Sequence, residues 1–498
     1  MAVAGIDVGT TGCKCTVYSD RGDFINEAYV EYDFPPEAGD RELDALVIWQ
    51  GVKQVMKEAA RGTEDLKAVG IASMGEAAVL LDEADRPLNR PILYFDPRGQ
   101  EQIDRLIAKI GEQKLKDITR MNPSKIYTLP KIMWLMDQDP SLSGRAKRLL
   151  LMQDYIVYML SGIAQIDYTL ASRTYAFDMN TLDWNDEILQ AAGLSRGMMG
   201  KTVPTGTAAG MIRREIAQEL NLPEDVLIVS GAHDQPAAMI GTGVLRPGMG
   251  ADSTGTNECI STFFEGRKHP DYMEQRELAV VPFLWPDTYM TSIFCFTGGG
   301  MLKWYRDNLA KYEAELIRRE GGNVFERLDE MTEDGPSGLL VLPYFLGKGS
   351  PGMNPDARGA IVGLTPETKS IAIYKALMEG VTYELRTGLE FWRERGIDIK
   401  ELRATGGGAF SSVWLQIKAD IYGMPVSTLK VSQGGNLACG MLAAIARGLY
   451  KNVEEAEKVF IQVDKTYYPR LKMQKRYDEW YEKYKLIYPG MEKLFTAW

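Results

Sequence analysis

Histidine is nearly absent from this sequence, with only His233 and His269 in 498 residues. A Ser-His-Asp triad or a His-ligated metal centre has almost nothing to be built from, so general-base chemistry falls to a carboxylate. Cysteine is scarce and odd in number, five in all, and with no basic-then-apolar leader this points to a reducing, cytoplasmic setting. Cys13 and Cys15 form a C-x-C with no second pair or histidine nearby and read as strand residues. Long hydrophobic runs are missing: Leu339–Leu346 is among the longest and is broken by Pro343, which argues against membrane spanning. An excess of positive charge is missing too. Lys and Arg number 57 against 68 Asp and Glu, a net charge of -11, and without a basic block nucleic-acid binding is disfavoured.

What is present is ample apolar material, 45% of residues, enough for two domains of roughly 250 residues each. Val226–Val229 reads as a short buried strand that Gly231 and Pro236 break, which places His233 and Asp234 on a turn at its carboxyl end. Ligands of α/β folds bind at such ends. Asp234 is accordingly the candidate catalytic base; the competing reading is an Asp that merely caps the next helix.

The chain opens with two β-rich runs joined by Gly9-Thr10-Thr11-Gly12, a turn whose N–H groups and hydroxyls could cradle a phosphate. Asp252-Ser253-Thr254-Gly255-Thr256 repeats it. Gly255, Thr256 and Cys259 follow Gly9, Thr10 and Cys13 at one constant offset, close to half the chain, which suggests a duplicated fold. Between the turns, Leu43–Ala60 has helical spacing, and Lys67–Ala72 is a strand that delivers Gly75 and Glu76. Ile92–Arg98 reads as another strand end, carrying Asp96 and Arg98. Such carboxylates and guanidinium suit a polyhydroxylated ligand, though solvated loop charges look the same in sequence. Tyr127 opens a helix and reads as pocket wall or core. Val244–Gly248 is the expected boundary between domains 1–245 and 246–498. Further on, Leu402–Ala409 runs into Gly406, Gly407 and Gly408, then a helix from Ser411 to Tyr422, letting backbone approach a flat or phosphorylated ligand. Neither G-x-G-x-x-G nor a P-loop occurs there. Asn436–Gly448, rich in Ala and Gly, reads as a close-packed helix.

These segments together resemble the FGGY carbohydrate kinases over the whole chain. Gly5–Thr11 and Asp252–Thr256 are similar to the family's two phosphate motifs, Gly231–Gln235 to the segment with its catalytic Asp, and Thr405–Val426 to its adenosine motif. Asp154-Tyr155, Asp167-Tyr168 with Ala171-Ser172, and Ala357–Gly359 with Gly363-Leu364 fit its connecting signatures. One signature, Lys131-x-x-Trp134, departs from the pattern at Ile126.

The resemblance implies an actin-like, ribonuclease H-like fold: two α/β ATPase domains with a cleft between them that closes around sugar and ATP. Asp234 would take the proton from the acceptor hydroxyl. Asp7 would hold Mg²⁺ through water, with Asp234 also at the metal. Thr10, Thr11 and Lys14 would line the phosphate path with Ser253, Thr254, Gly255 and Thr256 opposite, and Gly406, Gly407 and Ser412 would border the adenosine. Gly75, Glu76, Asp96, Arg98, Tyr127, His233 and Gln235 would surround the sugar. Xylulokinase-like members carry Met-His where this chain has Gly75-Glu76, and glycerol kinases carry Arg-Glu. A ketose, pentulose or hexulose, is the expected acceptor; a glycerol- or erythritol-like polyol is second, and an actin-type nucleotide switch is the non-enzymatic alternative. Homodimers occur in such families, so a homodimer is compatible with the resemblance.

Overall fold

A computed structural model describes residues 1–34, 41–269, 279–430 and 434–497. The first sheet is built from β1 (Ala2–Val8), β2 (Gly12–Ser19), β3 (Phe24–Glu31), β4 (Leu66–Ser73), β5 (Thr207–Met211) and β6 (Leu227–His233), in the order β5-β6-β4-β1-β2-β3. The three central strands, β6, β4 and β1, are parallel and buried along almost their whole length. They therefore read as continuous apolar runs rather than alternating ones. Helix α1 (Ala45–Ala59) starts where Asp44 accepts the N–H groups of Leu46 and Val47, at 2.9 and 3.2 Å.

The second sheet follows the same plan. Six of its seven strands, β7 (Met249–Thr254), β8 (Glu258–Glu265), β9 (Thr288–Cys295), β10 (Glu401–Gly406), β11 (Val426–Leu429) and β12 (Val463–Tyr467), stand in the order β12-β11-β10-β7-β8-β9. In both sheets an antiparallel edge pair leads into three parallel strands, and the hairpin that opens the unit pairs antiparallel beside them. The duplication read from the two Gly-Thr turns is thus a duplication of whole sheets.

The chain divides into two compact units. The first holds Met1–Leu245, takes in Ala279–Met290, and is completed by the stretch through Ile461; the second begins at Arg246 and holds the rest. A plain cut into 1–245 and 246–498 therefore misplaces residues 279–290 and two helices, Val453–Phe460 and α7 (Gly434–Ala446), which belong with the first unit. For α7 the reason is steric. A Cβ on Gly5 of β1 would run into the Asn436 carbonyl, and one on Gly70 of β4 into the Cys439 carbonyl, so these glycines let α7 lie directly on the strand backbones. Asn436 Nδ2 then donates to the Gly5 and Lys14 carbonyls and to Thr16 Oγ1, at 3.1, 3.2 and 3.1 Å.

Two local expectations fail. Ile92–Arg98 is a loop with one isolated bridge, Glu42 to Ile92, since Pro91 and Pro97 remove ladder donors at both ends. Nor do His233 and Asp234 sit on a turn: β6 runs through His233, and α4 (Asp234–Gly241) begins at the next residue. Gly231 does not break the strand but gives the close approach to the Ile71 carbonyl. Pro236 falls in the first turn of α4, where its missing N–H costs nothing.

Candidate active site

Asp234 is the first residue of α4. The cap position is His233, whose side chain makes no capping bond, so Asp234 is not there to cap. Its side chain is 39% exposed, yet Oδ1 is enclosed and has no hydrogen-bond partner. Loss of hydration raises the carboxyl pKa to about 6, against the opposing pull of the Gln235 N–H and Arg173. Beside it, His233 Nε2 lies 3.0 Å from Asp234 Oδ1. Burial lowers the His233 pKa to about 4, opposed by Glu76 and assisted by Arg173. The imidazole is neutral at physiological pH. Its backbone N–H donates to Thr169 Oγ1 at 2.7 Å, tying the β6–α4 junction to α3 (Tyr168–Arg173).

Arg173, the last residue of α3, organises the neighbouring wall. Its Nε donates to Glu76 Oε1 at 2.6 Å, and its guanidinium sits 5.2 Å from the Tyr127 ring centre. Tyr127 is in turn stacked on Tyr175, with centroids 4.9 Å apart. Glu76 is buried and held in the left-handed region, φ 61°, a conformation non-glycine residues rarely adopt without a constraint. Thr128 Oγ1 supplies one by donating to the Glu76 carbonyl at 2.7 Å. Gly75, Glu76, Tyr127, His233 and Asp234 therefore share one neighbourhood, and Arg173 joins them. Sequence reasoning did not single out Arg173, although it directly follows the Ala171-Ser172 signature.

Asp96 and Arg98 form a separate cluster. Arg98 donates to both Asp96 oxygens, at 2.8 and 2.9 Å, and to Glu42 at 2.7 Å, and it lies 4.8 Å from the Trp134 ring centre. Lys131 Nζ donates to the Arg98 carbonyl at 2.7 Å. Because Lys131 and Trp134 lie on α2 (Thr128–Gln138), the helix that follows Tyr127, one helix braces both clusters.

Asp7 closes the first unit's set. Burial raises its pKa to about 7, the charge of Asp234 adds to the rise, and Lys14 opposes it. Lys14 is the cross-strand partner of Asp7 and lies 3.4 Å from Glu27. The turn carrying Thr10 and Thr11 is closed by Gly9 N–H donating to the Gly12 carbonyl at 2.9 Å. Two neighbouring carboxylates that both resist ionisation suit a cation arriving with its own anionic ligand. Among the described residues no group of three or more His, Cys, Asp or Glu could hold a metal. Mg²⁺ is commonly held by only one or two carboxylates plus substrate phosphates, with water filling the rest, and Asp7 with Asp234 fits that mode.

The second unit contains a cavity of about 610 Å³, within the range of small-molecule sites. Thr254, Gly255 and Thr256 line it together with Phe325, Tyr374, Phe410 and Trp414. Gly407, Gly408 and Ser411 border it, whereas Gly406 and Ser412 are not among the lining residues. The shift is local. Gly406, at φ 78°, is pressed against the Thr254 carbonyl, and Ser411 caps α6 (Ser412–Tyr422) by accepting the Trp414 N–H at 3.0 Å. Ser411 and Tyr374, the latter on α5 (Ser370–Glu394), donate to the two oxygens of Asp329, at 2.6 and 2.8 Å, and burial raises the Asp329 carboxyl pKa.

With this geometry in view, comparison with known proteins is decisive. Residues 2–241 match the N-terminal domain model, and 253–447 the C-terminal domain model, of the FGGY family of carbohydrate kinases. The chain belongs to that family. FGGY kinases take ATP as donor and an alcohol group as acceptor, and this chain is a phosphotransferase of that class. It is 27% identical to a xylulose kinase from Bacillus subtilis, over 99% of this chain and 98% of that one. It is 29% identical to a glycerol kinase from Deinococcus radiodurans, over 95% and 94%. A crystal structure of ligand-bound xylulose kinase from Lactobacillus acidophilus superposes with a TM-score of 0.86 at 23% identity, covering 100% of this chain and 99% of that one. The fold is thus the two-domain α/β, actin-like fold of the FGGY kinases. Among the described residues no helix is long and apolar enough to cross a membrane.

Proposed function

We propose that this FGGY kinase transfers the γ-phosphate of ATP to a hydroxyl of a small ketose, a pentulose or hexulose, with Asp234 as general base. The observation that carries this reading is the Asp234 carboxyl at the end of a central parallel strand, its Oδ1 enclosed with His233 Nε2 3.0 Å away but in no hydrogen-bond geometry, and its pKa about 6. Such a group is ionised near neutral pH, yet is a stronger base than an ordinary Asp. That is the compromise general-base catalysis needs. Phosphoryl transfer through a loose transition state asks the rest of the protein for positioning and charge neutralisation. Arg173 and Glu76 would offer a donor and an acceptor to flanking sugar hydroxyls, and Tyr127 would give the sugar's carbon skeleton an apolar wall. Thr254, Gly255 and Thr256 would meet the nucleotide phosphates. Mg²⁺, bound with ATP, would neutralise phosphate charge, and Asp7 is the carboxylate that would meet it through water.

The ketose rests on similarity to xylulose kinases. A polyol acceptor is the second reading, favoured by the buried, Arg-held Glu76 at the place where glycerol kinases also carry Glu. An ADP-release screen across ketoses, aldoses and polyols separates the two. Asp234→Ala should lower kcat on the best acceptor by roughly 10²–10⁴-fold while ADP still binds. Slow ATP turnover indifferent to every acceptor would overturn the kinase assignment in favour of a nucleotide switch.

A further inference from the structure

Beneath the turn joining β7 to β8 lies an ion cluster for which phosphoryl transfer has so far needed no role. Lys418 Nζ donates to Asp252 Oδ2 at 2.8 Å and to Thr254 Oγ1 at 2.7 Å, and Glu258 Oε1 lies 2.9 Å from the same ammonium. The side chains of Lys418, Asp252 and Glu258 are all 0% exposed. Taking three ionisable groups out of water is costly, and well-packed apolar residues often stabilise a core at least as well. Fold stability is therefore a poor reason for the cluster.

Its geometry suggests a better one. An ammonium has hydrogens only to give, and it gives one to Asp252 Oδ2 and one to Thr254 Oγ1. Thr254 Oγ1 is thereby fixed as an acceptor, and among the described residues no acceptor takes its own hydrogen. Thr254 lies with Gly255 and Thr256 on the wall of the 610 Å³ cavity. Thr254 is 1% exposed, and Gly408 packs over it without a side chain, since a Cβ there would come 2.5 Å from Thr254 Cβ and Cγ2 and 2.9 Å from Oγ1. Lys418 also reaches the cavity's other side: its Nζ is 4.9 Å from the ring centre of Trp414, a turn earlier on α6 and itself a wall residue.

We propose that Lys418, held by Asp252 and Glu258, is a positioning residue that presents the Thr254 hydroxyl as a donor to a phosphoryl oxygen of bound ATP or ADP. This rests on the reading of the cavity as the nucleotide site. Lys418 does not touch the nucleotide; it sets which way the hydroxyl of Thr254 can donate. A donor fixed before the ligand arrives needs no reorganisation when the phosphate binds.

Calorimetric titration of the full-length chain with ADP, and separately with adenosine, both without sugar, tests this. Lys418→Met and Thr254→Val should each weaken ADP binding by about 10- to 100-fold, as for a lost hydrogen bond to a charged group, and leave adenosine within about twofold. Thr254→Ser, which keeps the hydroxyl, should bind ADP as the wild type does. The Lys418→Met/Thr254→Val double variant should be no weaker than the worse single one, because both remove the same donor. Thr254→Val leaves the ion cluster intact, so the test stands even if Lys418→Met does not fold. A Thr254→Val protein that binds ADP normally, or that loses ADP and adenosine together, overturns the inference alone. A wild-type protein that binds neither overturns the nucleotide reading and the inference with it.

Discussion

A Cβ on Gly75 would lie 2.9 Å from His233 Nε2, so the missing side chain at 75 is what allows His233 to stand against Asp234. Gly75→Met should push the imidazole aside, alter the surroundings of the Asp234 carboxylate, and raise KM for the acceptor several-fold while KM for ATP stays unchanged. Unaltered acceptor kinetics in Gly75→Met would mean that the imidazole has no part in acceptor recognition.

Arg173 connects Glu76, Tyr127 and the charge of Asp234. Arg173→Met leaves the Glu76 carboxylate buried without its ion-pair partner, a type of change that costs about 3–5 kcal/mol. The expected result is a lower melting temperature together with a large rise in acceptor KM. Glu76→Gln in the same background should restore part of the melting temperature, because the uncompensated charge is gone, but not the acceptor KM. A variant with wild-type acceptor KM would reduce Arg173 to a structural brace.

The pH dependence of turnover should follow the two neighbouring acids. Asp234 must be ionised to accept a proton, so kcat/KM for the acceptor should fall as pH drops through about 6. Asp7, at about 7, stands close enough to add to the same limb, and the apparent values belong to the pair. His233 is already neutral above about 4 and should add no limb near neutrality. A profile flat from pH 5 to 8 would exclude a carboxylate base with this pKa.

Stability should run the other way. The folded-state pKa of Asp7 is raised from 3.8 to about 7, so between those values the folded chain holds a proton that the unfolded chain has released. Its contribution is fully present below the unfolded value and is lost as pH rises through the folded one. Asp7→Asn removes that loss. The variant should melt above the wild type at about pH 8 and alongside it at about pH 4, while turning over more slowly. Equal pH dependence of melting in both proteins would show that the Asp7 carboxyl is not perturbed.

Local patterns were legible in the sequence wherever a few consecutive residues carry the signal. The apolar run of β6, the periodicity of α1 and the two Gly-Thr turns each depend on near neighbours. Pairings between distant residues left no such trace. Arg173 meets Glu76 across 97 positions, and Lys418 meets Thr254 across 164; a lysine on a helix looks like a solvated one until the strand beneath it is known. Ile92–Arg98 misled for a different reason, because its β-branched and aromatic content outweighed the two prolines. Gly231 and Pro236 looked like breaks and proved to be fittings, one for a close backbone contact and the other for a helix's first turn.

Helix α7 has a consequence for synthesis on the ribosome. The surface of β1 and β4 that it covers through Gly5 and Gly70 is translated hundreds of residues before the helix itself emerges. Until then the nascent chain carries a bare strip of backbone and small side chains. A chain stopped just short of Gly434 would keep that strip open for good.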